Sequence, residues 1–499
     1  MKLIDKYQVI ADDITADISI REEPSEFVYV YDLDIPKIKE STRAYLDSIK
    51  NKLIAAIPML PSDILDPKSF PKLKQKFLKY ASELIRTEIS HLRTADQWVI
   101  ANRLVQEMIG LGDMEFLLAD NNIEEICIVS SDEPIWIYHK GYGWLKTNLM
   151  VPSESKITDY ANLIGRRVGR SINVLNPLLD AHLITGDRVN ATLYPVSMSG
   201  NTITIRKFAR KPWTITDYIK GKSINTELAA LLWFAVQYEM NVLVGGATAT
   251  AKTTMLNILS SFIPLNQRIV SIEQTREIQL PKYYQWIPML VRLPNPEGKG
   301  GIEMLDLMIN SLRMRPDRLI VGEIRRAGEA EVMFEAMHSG HAVMATMHAD
   351  TSEQVYNRLT NPPMNIPSVM LDSLNLILVM YRDRKSGIRR VFELAEILPQ
   401  TKKEPPKLNI LYRWDPRSDK IKRVNKSKQF MKKLKIFTHM SDSSVRKDLK
   451  SREKILKWMV KHNISDLSLI AEIVSRYNRD PDALLKLIKN KNFHLVLSK

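Results

Sequence analysis

Residues 241–262 read NVLVGGATATAKTTMLNILSSF. A short apolar run, a turn of small residues, a Lys-Thr pair and an apolar helix follow one another here as strand, phosphate-binding loop and helix do. The physics is anion capture. Backbone N–H groups and a helix N-terminus converge on phosphate, the Lys252 ammonium adds a point charge, and the Thr253 hydroxyl offers an oxygen to Mg²⁺. The candidate nucleotide-binding residues are Gly246, Ala247, Thr248, Ala249, Thr250, Ala251, Lys252, Thr253 and Thr254. The motif is usually written G-x-x-x-x-G-K-[ST], and Ala251 stands at its second glycine. If that position needs a positive φ, alanine costs on the order of 1 kcal/mol there. Nucleotide binding is therefore expected together with slow turnover.

Outward from the loop, residues 224–379 alternate short buried runs with amphipathic helices. The strand-like runs are NVLV (241–244), IVSI (269–272), RLIV (318–321), HAVMAT (341–346) and LNLILVM (374–380). Helical patterns lie at 253–262, 303–314 and 327–338. This alternation predicts an α/β domain, a largely parallel sheet covered on both faces by helices. Three runs end in polar residues: Glu273 after IVSI, Glu323 after RLIV and His348 after HAVMAT. In a parallel sheet these carboxyl ends share an edge with the phosphate loop. Phosphoryl transfer asks for a metal, a group that orients water and positive charge on the γ-phosphate. Glu323 is accordingly read as the carboxylate that holds Mg²⁺ or polarises the nucleophile. Glu273 is a second candidate for water activation, and His348 a contact to the γ-phosphate.

The full 499 residues imply about three domains of roughly 150 residues. A hydrophobic fraction of 44% and a charged fraction of 26% exclude a disordered or fibrous chain. The single cysteine, Cys127, excludes an intrachain disulfide framework and a cysteine-built metal site. Leu228–Val244 is the longest apolar stretch, and Gln237, Glu239 and Asn241 break it. Acidic residues also interrupt the N-terminus before a signal core can form, so an intracellular, soluble protein is expected.

Phe70–Met108 is helical text that places Leu73, Phe77, Tyr80, Leu84 and Ile85 on one face. A small α+β unit follows to about residue 208, with strands expected in ICIVS, PIWIYH, NATLYPV and NTITIRKF. The expected division is an N-terminal segment (1–69), a helical and α+β domain (70–208), a linker (209–223), an α/β phosphate-loop domain (224–383) and a basic, mostly helical extension (384–499). Charge is uneven along it. From Tyr381 to Lys499 there are 31 basic and 13 acidic residues within a chain of net charge +15. A localised anionic partner follows, unless this is simply a solvated basic face.

With these residues assembled, the chain resembles the secretion ATPase superfamily of type II and type IV secretion, type IV pili and archaella, in particular its archaeal branch. The motifs that carry the resemblance are the phosphate loop, IEQTREIQLP (272–281), LRMRPDRLIVGEIR (312–325) and GHAVMATMHAD (340–350). They match the family's Walker A, Asp box, Walker B and His box. LGDMEFLLADNNIEEICI (111–128) and residues 165–208 resemble its N-terminal domain. The resemblance implies a RecA-like P-loop ATPase domain preceded by a sensor-like α+β domain, and a homo-hexamer with ATP and Mg²⁺ between domains. Arginines of the N-terminal domain reach the phosphates in this family, and Arg188 and Arg206 match them. The motor is expected to be cytoplasmic, peripheral at the cytoplasmic membrane, and to act on a polytopic membrane platform protein that assembles a pilus-like or archaellum filament. Anionic lipid headgroups are expected at the basic C-terminus and nucleic acid is not. Gln274 departs from the family, which usually has aspartate there. A type IV secretion or conjugation ATPase, and a nucleotide-binding scaffold with impaired hydrolysis, stay open as alternatives.

Overall fold

The computed structural model describes residues 2–36, 40–57, 69–90, 92–183, 185–208, 211–294, 298–383, 386–399 and 406–489. The chain forms two compact units, Met1–Arg210 and Lys211–Lys499. Most of the proline-marked stretch 57–67, the first two linker residues and the last ten residues lie outside the described residues.

The first unit is built on one mixed sheet of nine strands: β1 (Lys2–Ala11), β2 (Ile14–Glu22), β3 (Val30–Asp34), β4 (Ile123–Ile128), β5 (Trp136–His139), β6 (Gly143–Thr147), β7 (Leu178–His182), β8 (Arg188–Thr192) and β9 (Thr202–Arg206). Their order is β1-β2-β3-β6-β5-β4-β9-β8-β7. The first three strands come from the expected N-terminal segment, and β3 joins β6 in parallel. Alternation drives this pairing, since in β2 Ile14, Ala16, Ile18 and Ile20 are all buried. The helical text splits into Phe70–Glu88 and Thr94–Ile109. The buried stripe of the first is Leu73, Phe77, Ala81 and Ile85, while Tyr80 is 38% exposed. Leu73, Phe77 and Ile85 of the expected face are buried and Leu84 packs against the same core, while Ala81 takes the buried place expected of Tyr80.

The second unit is an α/β domain built on one large sheet. Its sheet contains β10 (Val242–Gly246), β11 (Arg268–Glu273), β12 (Gln285–Leu290), β13 (Arg318–Val321), β14 (Ala342–Met347), β15 (Leu376–Arg382), β16 (Arg389–Leu398), β17 (Lys407–Asp415) and β18 (Lys420–Arg423). The order is β12-β11-β13-β14-β10-β15-β16-β17-β18. Strands β10–β15 pair in parallel, and β16–β18 extend the sheet antiparallel. Continuous burial along β10, β13 and β14 fits a sheet covered on both faces. Edge strand β12 carries Pro288, which an edge tolerates and which hid the strand in the sequence. The helix Ile215–Lys220 lies within the stretch read as linker, started by a capping box between Thr214 and Asp217.

The basic C-terminal text opens with strands β16–β18 and ends in the helices Gln429–Thr438, Asp442–Lys461, Leu467–Arg479 and Pro481–Lys489. These helices share one core with the rest of the second unit, in which Leu456, Met459, Ile473 and Val474 pack with Leu232, Trp233 and Phe262. Arg452 anchors that contact at 1% exposure. Its guanidinium lies 4.7 Å from the Trp233 ring, 5.1 Å from Phe234 and 4.9 Å from Tyr477. It pairs with Asp448 at 2.6 Å and donates to Gln237 Oε1. Removing one side of such a pair strands a buried charge. Arg452→Ala is therefore expected to lower stability by about 3–5 kcal/mol, read as a fall in the thermal unfolding midpoint of the full chain.

Candidate functional site

The phosphate loop leaves β10 with Gly246 at φ +150°. A Cβ there would meet Thr250 Oγ1 and, at 2.7 Å, the Met380 carbonyl oxygen, so only glycine fits. Ala249 and Ala251 sit in the left-handed region at φ +62° and +71°. Ala251, which stands at the N-terminal cap of the helix Lys252–Ser260, thus occupies a conformation that favours glycine. Compensating contacts hold the loop in shape. Thr250 Oγ1 donates to the Ala247 carbonyl at 2.8 Å, and Arg389 Nε donates to the Ala249 carbonyl at 3.2 Å. Arg389 lies 140 residues away in sequence, and no local signal marks it.

Lys252, Glu323 and His348 come together. Lys252 Nζ donates to the Ala247 carbonyl at 2.9 Å and stands 3.4 Å from His348 Nδ1. His348 Nε2 lies 2.8 Å from Glu323 Oε1. Arg325 Nε donates to Glu323 Oε2 at 2.7 Å, and its Nη1 donates to Gln274 Oε1 at 2.8 Å. A polar chain therefore runs through residues of all four motifs. Strand order explains it, since β14 lies between β10 and β13 and places His348 between Lys252 and Glu323. Burial, then the Lys252 ammonium, holds His348 below the ordinary imidazole range against the pull of Glu323. The neutral ring leaves Nδ1 free to accept from Lys252, while Glu323 Oε1, close to Nε2 but not aligned with it, has no hydrogen-bond partner among the described residues. Burial likewise lowers the Lys252 ammonium, opposed chiefly by Glu323. Gln274 gives Arg325 a neutral acceptor beside the charged one on Glu323.

Glu273 ends β11 and is 2% exposed. Its Oε1 accepts the backbone N–H groups of Glu277 (2.9 Å) and Ile278 (3.0 Å), while Oε2 is buried without a partner among the described residues. Burial pushes its carboxyl up to about 7 despite the two donors. Beside the loop opens a cavity of about 530 Å³, lined by Ala247, Thr248, His348, Asp350, Asn357 and Arg358 among others. Arg358, whose role the sequence did not suggest, also donates to the His348 carbonyl. A magnesium ion that arrives with nucleotide asks for hard oxygen ligands and takes several from phosphate and water. The half-buried Thr253 hydroxyl and the Glu323 carboxylate fit that chemistry. Among the described residues no group of three or more His, Cys, Asp or Glu is placed to hold a metal alone.

Arg188 and Arg206 belong to the first unit, where they face each other as register partners on β8 and β9. Both are exposed, and Arg188 pairs with Asp180 at 2.9 Å. They thus form one basic spot on one sheet face.

The parallel sheet, the loop and the acids gathered at its edge have the architecture of a P-loop α/β protein. Residues 180–391 match the family profile described as "Type II/IV secretion system protein". An uncharacterized protein of Methanocaldococcus jannaschii is 32% identical over 378 residues, covering 74% of this chain and 68% of that one. The type IV secretion system protein PtlH of Bordetella pertussis is 29% identical over 306 residues, covering 55% of this chain and 89% of PtlH. Among solved structures, the ATPase DotB of Yersinia pseudotuberculosis is similar at 18% identity and a TM-score of 0.43, over 73% of this chain and 92% of that one. The chain belongs to the type II/IV secretion system protein family.

Two outcomes follow from the local geometry. Ala251→Gly relieves the left-handed alanine and is expected to add up to about 1 kcal/mol of stability, a rise in the unfolding midpoint. The folded Glu273 carboxyl keeps its proton to about pH 7, whereas the unfolded value is 4.5, so folding binds a proton between them. Its contribution is present at low pH and is lost as pH rises through about 7. Glu273→Gln removes that loss. The stability difference between wild type and variant should therefore change by about 3 kcal/mol between acid and mildly alkaline pH, measured by denaturant titration.

Proposed function

We propose that the chain is an ATP-hydrolysing motor of a secretion or pilus-type system, with ATP and Mg²⁺ on residues 246–254. The observation that carries the proposal is the polar chain from Lys252 through His348 and Glu323 to Arg325 at the mouth of the phosphate loop. Phosphate arriving at the loop replaces the Ala247 carbonyl as the acceptor of Lys252. Glu323 orients the attacking water, with Thr253 and Glu323 as the magnesium-side oxygens, and His348 registers the γ-phosphate. Glu273 is the second candidate base. Arg188 and Arg206 supply positive charge to the phosphates from the N-terminal domain (70–208), across the linker (209–223). The motor domain (224–383) and the basic extension (384–499) complete a subunit of a homo-hexamer. It works in the cytoplasm, peripheral at the cytoplasmic membrane, and drives a polytopic platform protein that builds a pilus-like or archaellum filament.

A type IV secretion or conjugation role is the second reading, and the similarity to PtlH favours it. A scaffold that binds nucleotide without cycling is the third, which the left-handed Ala251 and Gln274 favour. Phosphate release with ATP and Mg²⁺ separates the scaffold from both motors. Wild type should release phosphate slowly, and Glu323→Gln should cut turnover by about 10²–10⁴-fold with ATP binding retained. Unchanged turnover in that variant removes Glu323 from its assigned part. Binding without any release in wild type selects the scaffold.

A further inference from the structure

Residues 420–438, KIKRVNKSKQFMKKLKIFT, carry eight basic residues and no acidic one, and none of them belongs to the nucleotide site. The structure holds this segment firmly. β18 forms the edge of the motor sheet. The turn after it is pinned by Glu396 on β16, which is 0% exposed. That carboxylate accepts the backbone N–H groups of Lys428 (2.6 Å) and Phe430 (2.8 Å), the Ser427 hydroxyl (2.8 Å) and the Asn409 amide (2.7 Å). The helix Gln429–Thr438 then buries Phe430 and Leu434, which turns its remaining sides outward.

Lys428, Lys432 and Ile436 recur at four-residue spacing, the repeat of one helix side, with Phe437 next to Ile436. Ile436 is 60% exposed, Phe437 67% and, just past β18, Val424 53%. Lys420, Arg423, Lys426, Lys428 and Lys432 are exposed and have no carboxylate partner among the described residues. The other cations of the segment are engaged: Lys422 with Asp415 at 2.6 Å, Lys435 with Asp442, and Lys433 with the Asp372 carbonyl.

Exposed apolar side chains among unpaired cations ask for a partner that is anionic and apolar at once. An anionic lipid surface is both. Headgroups neutralise lysines within a Debye length, and the interfacial region receives aliphatic and aromatic side chains. Single-stranded nucleic acid would use the same cations, but it rewards stacked aromatic rings, and Val424 and Ile436 offer no stacking face. We infer that residues 420–438 form a membrane-docking surface for anionic phospholipid, with Ile436 and Phe437 entering the interface and Lys426, Lys428 and Lys432 facing the headgroups. This goes beyond the ATPase proposal and does not depend on nucleotide.

The test is flotation of the full chain without ATP on vesicles of phosphatidylcholine or of equimolar phosphatidylcholine and phosphatidylglycerol. Wild type should float with the anionic vesicles only, and less so as salt rises. Each lysine near such a surface is worth roughly a five-fold gain in partitioning, so K426E/K428E/K432E should lose at least about a hundred-fold. I436S/F437S should weaken binding at every salt concentration. K447E/K450E/K454E, with the same charge change on the helix Asp442–Lys461, should bind far better than the first triple. Matched unfolding midpoints would show that all the variants fold. Equal binding by the two triples, equal flotation on neutral vesicles, or tighter binding to a DNA duplex than to anionic vesicles would overturn the inference. Phosphate release in vesicle-free solution tests the motor proposal separately.

Discussion

A buried ammonium that has only borrowed partners is the constraint around which the second unit is arranged. Lys252 is 9% exposed, and burial makes its charge costly. It finds a carbonyl of its own loop and an imidazole from the neighbouring strand, both weaker acceptors than a phosphate oxygen. The sheet must therefore hold β10 and β14 in register, with Val244 opposite Thr346, to present that imidazole. It must also hold β13 on the far side of β14, so that Glu323 reaches the other ring nitrogen. Neither strand order nor burial is free to vary while the cation remains there.

Much of this was readable from residue order. RLIV is β13 residue for residue, and the helix Ala327–His338 begins and ends where its periodicity does. Glu323 and His348 follow β13 and β14 where those apolar runs give way to less buried chain, whereas Glu273 ends β11 while still 2% exposed. The harder parts have physical reasons. β12 was hidden by Pro288, and β18, KIKR, by a basic composition that reads as helix or loop until a neighbouring strand is supplied. Arg389 at the Ala249 carbonyl and Arg325 at Gln274 are long-range contacts, set by packing and carrying no periodic signal.

The C-terminal third shows how local composition misleads about burial. Arg452 belongs to the most basic part of the chain, yet it is enclosed by three aromatic rings and a carboxylate. Helix amphipathicity decides this. Val445, Ile455, Leu456 and Met459 of Asp442–Lys461 face inward and carry Arg452 with them. The positive charge is thus sorted into a few enclosed cations that fasten helices and a larger set that faces solvent.

Parallel strands stand about 4.8 Å apart, so a loop and an acid on strands separated by one intervening strand are nearly 10 Å distant. A single side chain on the middle strand must span that gap and offer opposite polarity at its two ends. Imidazole does so across one rigid ring, with one nitrogen 3.4 Å from Lys252 Nζ and the other 2.8 Å from Glu323 Oε1. Position 348 is in this sense a measuring rod. Its residue type is dictated by spacing as much as by chemistry, and its mutational tolerance should be among the narrowest in the domain.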